Sequence, residues 1–435
     1  MTLAAAPVEL LVDRYELTMA ASYLAEGRAD DRVAFELSVR ELPRDRGYLL
    51  AAGLEQVVDY LRDLSFGPEA LAYLERSGTC PPPLLERLAS QRFDGDLDAI
   101  PEGTVVHAGE PLLRVEGGRL ICQLVETYLL NVVNFETLIA TKAARMVEAA
   151  AGRPVVDFGF RRAHGPDAGL LAARAAYIGG CVATATVAAG MLWDIPTSGT
   201  MAHSYVMGFA SEVDAFTEFL REHGDTATLL IDTYNPVRGA RRAAEASRAA
   251  GVTPRFVRLD SGNVATLATQ VRAILDEEGM GDTEIFASGD LDEHVIAGWV
   301  SAGVPVTGFG VGTRLVTSFD VPALGGVYKL VESDGRPVMK LAGEKSTLPG
   351  RHQVFRGDDD DVIGLVGEDL PGAPLLEPVL RGGAPAAETP PVAAVRDRAA
   401  AQRAALPSPM RALTHPTPLR PRLSPQLTAL KERLS

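Results

Sequence analysis

From Gly152 onward the chain repeats one rhythm: a short apolar run that closes on a polar residue, followed by an amphipathic stretch of helical length. The runs are PVVDFG, a brief one at 181–183, IPTSG, LLIDTYN, RFVRLDSGN, TEIFASGD and VPVTGFGVGT. Strands alternating with helices of this length predict βα units and a mostly parallel sheet. Six or seven units within about 170 residues suit a closed α/β barrel better than an open doubly wound sheet. Asp157, Asp232, Asp260, Ser288 with Asp290, and Gly310 all fall at or just beyond the carboxyl ends of these runs, the rim where a barrel builds its active site.

Upstream lies an α+β body. Residues 10 to about 26 read as a helix, 33–39 as a strand, 49–66 as a helix and 103–117 as strands with tight turns. Leu120 to about Ala150 reads as one long helix or two closely joined ones. Downstream, 325–342 predicts a hairpin on a Ser-Asp-Gly turn, and the four aspartates of GDDDD read most simply as a solvated turn. Residues 381–435 hold nine Lys or Arg against three acids; the Pro/Ala-rich part could be a disordered extension, whereas PQLTALKERL predicts a packed helix. The domains expected are 1–125, an N-terminal α/β domain; 126–345, the barrel; and 346–435, a C-terminal segment packing on the first.

Bulk properties exclude several classes. A formal charge of -15 argues against nucleic acid, although arginines can still cluster locally for an anionic substrate. Cys80, Cys122 and Cys181 form no CxxC pair, so neither a disulfide framework nor a thiolate zinc site is expected. The N-terminus lacks the basic start of a signal peptide, and no apolar run reaches membrane-span length. A cytoplasmic protein is the expectation.

DFGFRRAHG (157–165) groups an aspartate, aromatics, Arg161, Arg162 and His164. Two guanidinium forks beside a turn suit phosphate oxygens and Phe158 suits a flat ring, although a surface salt-bridge patch would have the same composition. Asp232 and Asp260, with Arg258 nearby, could hold Mg2+ or ribose hydroxyls, or simply be turn aspartates. SGD (288–290) and GFGVGT (308–313) are glycine turns whose amides could face a phosphate, with Thr313 adding a hydroxyl. GFGVGT lacks the dinucleotide-fold spacing, and no GxxxxGK[ST] loop occurs. His203 in GTMAHS sits among small residues and could carry a proton or accept a phosphoryl group; a lone histidine could equally be structural. In DRYELTM, Asp13, Tyr15 and Glu16 read first as an acidic helix start.

The ordered series DRYELTM, RELPRDRGYLLAAGLE, NFETLIATKAAR, DFGFRRAHGPDAG, GTMAHS, LIDTYNP, RLDSGN, ASGD, GFGVGT, YKL, EKSTLPGRHQVFR and the closing ALPSPMRALTHPTPLRPRLSPQLTALKERL resembles the nicotinate phosphoribosyltransferase family along nearly the whole chain. The resemblance implies an irregular α/β barrel of the quinolinate-phosphoribosyltransferase type, with an N-terminal α/β domain completed by C-terminal chain. It implies formation of nicotinate mononucleotide from nicotinate and phosphoribosyl pyrophosphate, with Mg2+, and with ATP as co-substrate phosphorylating His203. It further implies a homodimer whose active sites lie at the subunit interface, Phe158 and the partner's Tyr15 sandwiching the pyridine. Arg161 and Arg258 would bind anionic groups, and Asp232 and Asp260 the ribose and metal region. Thr184, Ser288, Gly289, Asp290, Gly310, Gly312 and Thr313 would complete substrate binding. Where the family usually reads Gly-Thr-Ser-Asn, this chain has Ala183, Thr184, Ala185 and Thr186. The lack of an aspartate at Ala185 favours a carboxylate substrate; Asn263 leans toward nicotinamide, and His352 replaces a usual lysine. The alternatives are a nicotinamide phosphoribosyltransferase and a catalytically silent homologue acting as an assembly partner.

Overall fold

The computed structural model describes residues 7–341, 347–357 and 360–435. Glu344, Lys345 and Ser346 of the EKSTLPG motif, the N-terminal 1–6, and Asp358 and Asp359 of the acidic run lie outside the described residues. Internal contacts divide the chain into two units, 1–138 with 323–435, and 139–322.

The first unit is built on a seven-stranded antiparallel sheet. Its centre is Arg32–Val39, paired on one side with Gly326–Ser333 and on the other with Pro111–Gly118. Asp96–Ala99 and Glu377–Arg381 extend the sheet. The predicted hairpin turns at Asp334 and Gly335, both with positive φ, as a two-residue turn matching strand twist requires. The predicted first helix spans Arg14–Ala25 and buries Leu17 and Ala20 against Leu84, Leu88, Leu120 and Leu124. Residues 49–66 contain a two-residue strand at Leu49–Leu50 before the helix Leu54–Asp63. Gly53, at φ 97°, makes the break, where any Cβ would press on Val132 and Val133. The long apolar stretch resolves into two helices, Arg119–Leu124 and Glu126–Ala149. The C-terminal helix Pro425–Leu434 buries Leu427 and Leu430. Asp361 departs from the solvated-turn expectation: it is buried and held by the Arg356 guanidinium at 2.7 Å, so a cation partner replaces water.

The second unit holds six parallel strands: Val155–Asp157, Ala183–Thr184, Thr228–Leu230, Phe256–Leu259, Glu284–Ser288 and Gly308–Val311. Across the sheet they run second, first, sixth, fifth, fourth, third. That is barrel order, each strand beside its chain neighbour and the sixth returning to the first, with one side open between the second and third strands. IPTSG was expected to supply a strand there. It makes only a single parallel bridge, Thr197 to Thr184, flanked by the Thr184 amide donating to the Pro196 carbonyl at 3.0 Å. Pro196 has no amide to continue a ladder, and the chain turns into short helices instead. The result is an irregular, half-open α/β barrel.

The loops that leave the third, fourth and fifth strands each end on a helix cap. Asn235, Asn263 and Asp292 accept from the amides of Arg238, Thr266 and Val295 at 2.9, 3.3 and 3.0 Å. Capping stops each strand-end loop at a fixed length and so holds the polar residues between strand and cap at the rim. No helix among the described residues is long and apolar enough to cross a membrane.

Candidate active site

A cavity of about 250 Å³ opens at the carboxyl ends of the barrel strands. Phe158, Arg161, Arg258 and Asp260 meet there with Ser288, Gly289, Asp290, Gly310, Gly312 and Thr313. The sequence reading put these ten residues at the rim from four separate segments. Arg162, named with its neighbour in the sequence but absent from the expected binding set, lines the cavity as well, whereas the exposed His164 does not.

The first strand ends on Asp157, whose buried carboxylate accepts from the Gly159 amide and the Thr184 hydroxyl, both at 2.8 Å. Burial raises its carboxyl above the usual range, so these donors hold a costly group in place. They also fix the turn that presents Phe158 and the arginines. Thr184 is itself buried, and its hydroxyl also accepts from the Thr186 amide at 3.1 Å. That hydroxyl therefore shapes the turn and lies outside the cavity lining. Phe158 packs against Phe286 with ring centroids 5.9 Å apart. Gly310 is needed for this: a Cβ there would stand 2.6 Å from the Phe158 ring.

Asp232 is buried after the third strand, and its Oδ2 accepts from the Asp260 amide and the Ser261 hydroxyl, both at 2.8 Å. Its Oδ1 is buried with no hydrogen-bond partner. Asp260 in turn accepts from the Ser288 hydroxyl at 2.5 Å. Ser288 thus braces Asp260, and Gly289 passes so close that a Cβ would sit 2.2 Å from the Asp260 carbonyl. His203, half-exposed, lies with Nδ1 3.1 Å from the Thr233 hydroxyl and Nε2 4.0 Å from Asp260 Oδ2. Sequence reasoning missed Thr233 and Ser261, although both are hydroxyls adjacent to the chosen aspartates.

Arg258 donates to the Met201 carbonyl at 3.1 Å, and its buried Nε has no partner. Burial and the neighbouring Arg161 guanidinium lower its pKa, while Asp260 and Asp232 oppose the shift. Cations converging on an open cavity, with buried donor capacity unspent, suit an anionic ligand. Asn263 is accounted for as a helix cap. Ala185 is exposed beside the Asp157 turn, with its amide donating to the Asp157 carbonyl at 2.8 Å. Tyr15 belongs to the first unit, 46% exposed, with the Glu126 carboxylate near its phenol.

One unanticipated feature supports the rim from within the second unit. Lys142 donates to Glu293 and Asp320, both at 2.6 Å, and Arg145 donates to Glu293 at 2.9 Å. Glu293 opens the helix that follows the 288–290 turn, so this cluster, buried except for Asp320, anchors that turn from behind.

Comparison with known proteins places both units. Residues 10–134 match the nicotinate phosphoribosyltransferase (NAPRTase) N-terminal domain, and residues 139–322 match the quinolinate phosphoribosyl transferase C-terminal domain. A nicotinate phosphoribosyltransferase of Mycobacterium tuberculosis is 44% identical over 412 residues, covering 93% of this chain and 89% of the relative. One from Bacillus subtilis is 42% identical over 358 residues, 80% of this chain and 73% of the relative. The crystal structure of human nicotinic acid phosphoribosyltransferase superimposes with a TM-score of 0.86 at 29% identity, covering 98% of this chain and 100% of that one.

Proposed function

The chain belongs to the nicotinate phosphoribosyltransferase family, and we propose that the barrel-rim cavity is where it performs that family's reaction. It is an enzyme of NAD biosynthesis and salvage that forms nicotinate mononucleotide and pyrophosphate from nicotinate and phosphoribosyl pyrophosphate. The observation that carries the site assignment is the convergence of Phe158, three arginines and Asp260 with two glycine turns in one cavity.

In this reading the pyridine ring stacks on Phe158, with the partner subunit's Tyr15 covering its other face in a homodimer. Arg258 and Arg161 bind the nicotinate carboxylate and the anionic groups of the second substrate, with Arg162 beside them. Gly289, Gly312 and Thr313 hold the 5-phosphate, while Asp260, braced by Asp232 and Ser288, receives the ribose hydroxyls. The ring nitrogen already has a lone pair, so no strong base is required. It bonds to the anomeric carbon as the bond to pyrophosphate breaks, and that electron pair leaves with pyrophosphate. Positioning supplies much of the rate, and the arginines stabilise the departing charge.

Mg2+ fits the residues present. Asp232 has an unpartnered buried carboxylate oxygen beside Asp260, and no described group of three or more His, Cys, Asp or Glu forms an all-protein cage. That suits a cation held by one or two carboxylates together with substrate phosphates. Bound there, Mg2+ would neutralise charge on the pyrophosphate oxygens.

His203 is the residue proposed to take the γ-phosphoryl group of ATP. With Nδ1–H donated to Thr233, Nε2 keeps its lone pair and attacks phosphorus as ADP leaves. Water later hydrolyses the phosphohistidine, drawing the transfer toward mononucleotide. A cytoplasmic setting accords with three buried, free cysteines. The test is His203→Ala assayed for nicotinate mononucleotide with and without ATP. Basal transfer that no longer responds to ATP supports the assignment; ATP stimulation equal to wild type removes His203 from the mechanism.

A further inference from the structure

The first unit contains a cavity of about 820 Å³ that the reaction above does not use. It lies between the 40–46 loop and the 415–421 segment, and Arg40, Arg44, Arg46, Arg420 and His415 line it. In a chain of formal charge -15, four arginines around one cavity are a local reversal of sign. Arg44 is paired with Asp45 and Arg46 donates to the Arg44 carbonyl at 3.3 Å, yet the guanidinium groups share one space, and a cavity focuses their potential on an entering anion. Two carboxylates, Glu41 and Asp45, also line it. Asp45 is committed to the wall: it accepts from the His415 amide at 3.1 Å and pairs with Arg44 at 3.3 Å.

The wall is built and held. Asp45 and His415, joined by that hydrogen bond, both adopt left-handed backbone conformations with φ of 56° and 47°. Such strain in non-glycine residues persists only where surrounding structure imposes it, and it clusters at ligand clamps. Gly47 lets the loop close on the other segment, since a Cβ there would stand 2.1 Å from the Met410 carbonyl. Pro416, Pro418 and Pro421 line the same segment, and their fixed φ limits the ordering that a ligand would impose. The volume is within the range of small-molecule sites.

We propose that this cavity is a second anion site, built from residues other than those of the barrel rim, that takes a di- or triphosphate group. The group can come as free pyrophosphate or as the phosphate tail of a nucleoside triphosphate. The guanidinium forks of Arg44 and Arg420 hold the phosphate oxygens at the mouth, with the buried Arg46 deeper in the wall. The site therefore responds to reactants or products of this chemistry without taking part in it.

The test is calorimetric titration of the full chain at low salt with pyrophosphate, tripolyphosphate and ATP in separate arms. Three proteins are compared: wild type, R44Q/R420Q, and R161Q/R162Q at the barrel rim. Arg44 and Arg420 are exposed, so their replacement leaves the fold intact, which circular dichroism checks. Wild type shows two binding events per chain. R44Q/R420Q weakens one of them by more than about tenfold per arginine while leaving nicotinate turnover at saturating substrate unchanged. R161Q/R162Q weakens only the other. Tighter binding of ATP than of tripolyphosphate identifies the nucleotide as the ligand, and equal or tighter binding of pyrophosphate identifies the free anion. The proposal is overturned if wild type binds once and R161Q/R162Q abolishes it. Two events persisting in R44Q/R420Q, or loss of turnover in that variant, overturn it equally.

Discussion

The barrel rim and the sheet of the first unit both gather arginines and carboxylates, yet they use them in opposite ways. In the sheet, buried Arg114 donates to Glu116 and Asp98 at 2.8 Å each and to the His352 carbonyl at 2.6 Å. Glu36 accepts from the His352 amide at 2.8 Å and lies 2.6 Å from its Nδ1. The cation there is surrounded by acceptors, so the cluster is complete without a ligand. At the rim, Arg258 spends one donor on a carbonyl and leaves Nε unpaired, and Asp232 keeps a buried oxygen without a donor. Unspent hydrogen-bonding capacity beside a cavity, more than charge itself, separates a site from a structural cluster.

That contrast predicts different failures. Arg114→Met removes the buried cation shared by Glu116 and Asp98 and should cost about 3–5 kcal/mol of stability, measured by denaturant unfolding, with the nicotinate KM of the folded fraction unchanged. A loss below about 1 kcal/mol would show the sheet cluster to be dispensable. Arg258→Gln should do the reverse: kcat/KM falls by about 10²–10³ while the unfolding midpoint stays close to wild type. Equal damage to stability and rate would erase the distinction between the two regions.

Two smaller effects sharpen it. His107, buried in the first unit 3.9 Å from Asp361 and with Arg356 nearby, has its pKa lowered to about 4 by burial. The unfolded chain therefore takes up this proton first as pH falls below about 6.5. Stability contributed by neutral His107 is present above that pH and is lost as pH falls toward 4. The loss between pH 7 and 5 is roughly 2 kcal/mol, and His107→Phe should remove that part of the pH slope in denaturant titrations. A slope identical to wild type would show that the neighbouring carboxylates carry it. Phe158→Ala should raise the KM for nicotinate by about tenfold, through lost stacking, with a much smaller change in kcat. An unchanged KM would remove the ring from the pyridine site.

Much of the second unit was legible because buried parallel strands are nearly continuous apolar runs, and their terminal aspartates stand out against them. Asp157, Asp260 and Gly310 were found that way. Thr184 and Ser288 were legible only as strand-end hydroxyls. A hydroxyl at a strand end looks like a ligand, and only the fold shows that these two also donate to Asp157 and Asp260, with Ser288 still lining the cavity. IPTSG read as a strand from its position in the rhythm, whereas Pro196 reduces it to one bridge. The sheet cluster could not be read at all, because Arg114 and His352 are 238 residues apart and only tertiary structure pairs them.

The most direct test of the account is mononucleotide formation from phosphoribosyl pyrophosphate and Mg2+, with nicotinate or nicotinamide as acceptor, each with and without ATP. The account predicts product from nicotinate, stimulated by ATP, and little from nicotinamide. Preference for nicotinamide would contradict the carboxylate role given to the rim arginines, and no product from either ring would contradict the assignment of the rim as a working active site.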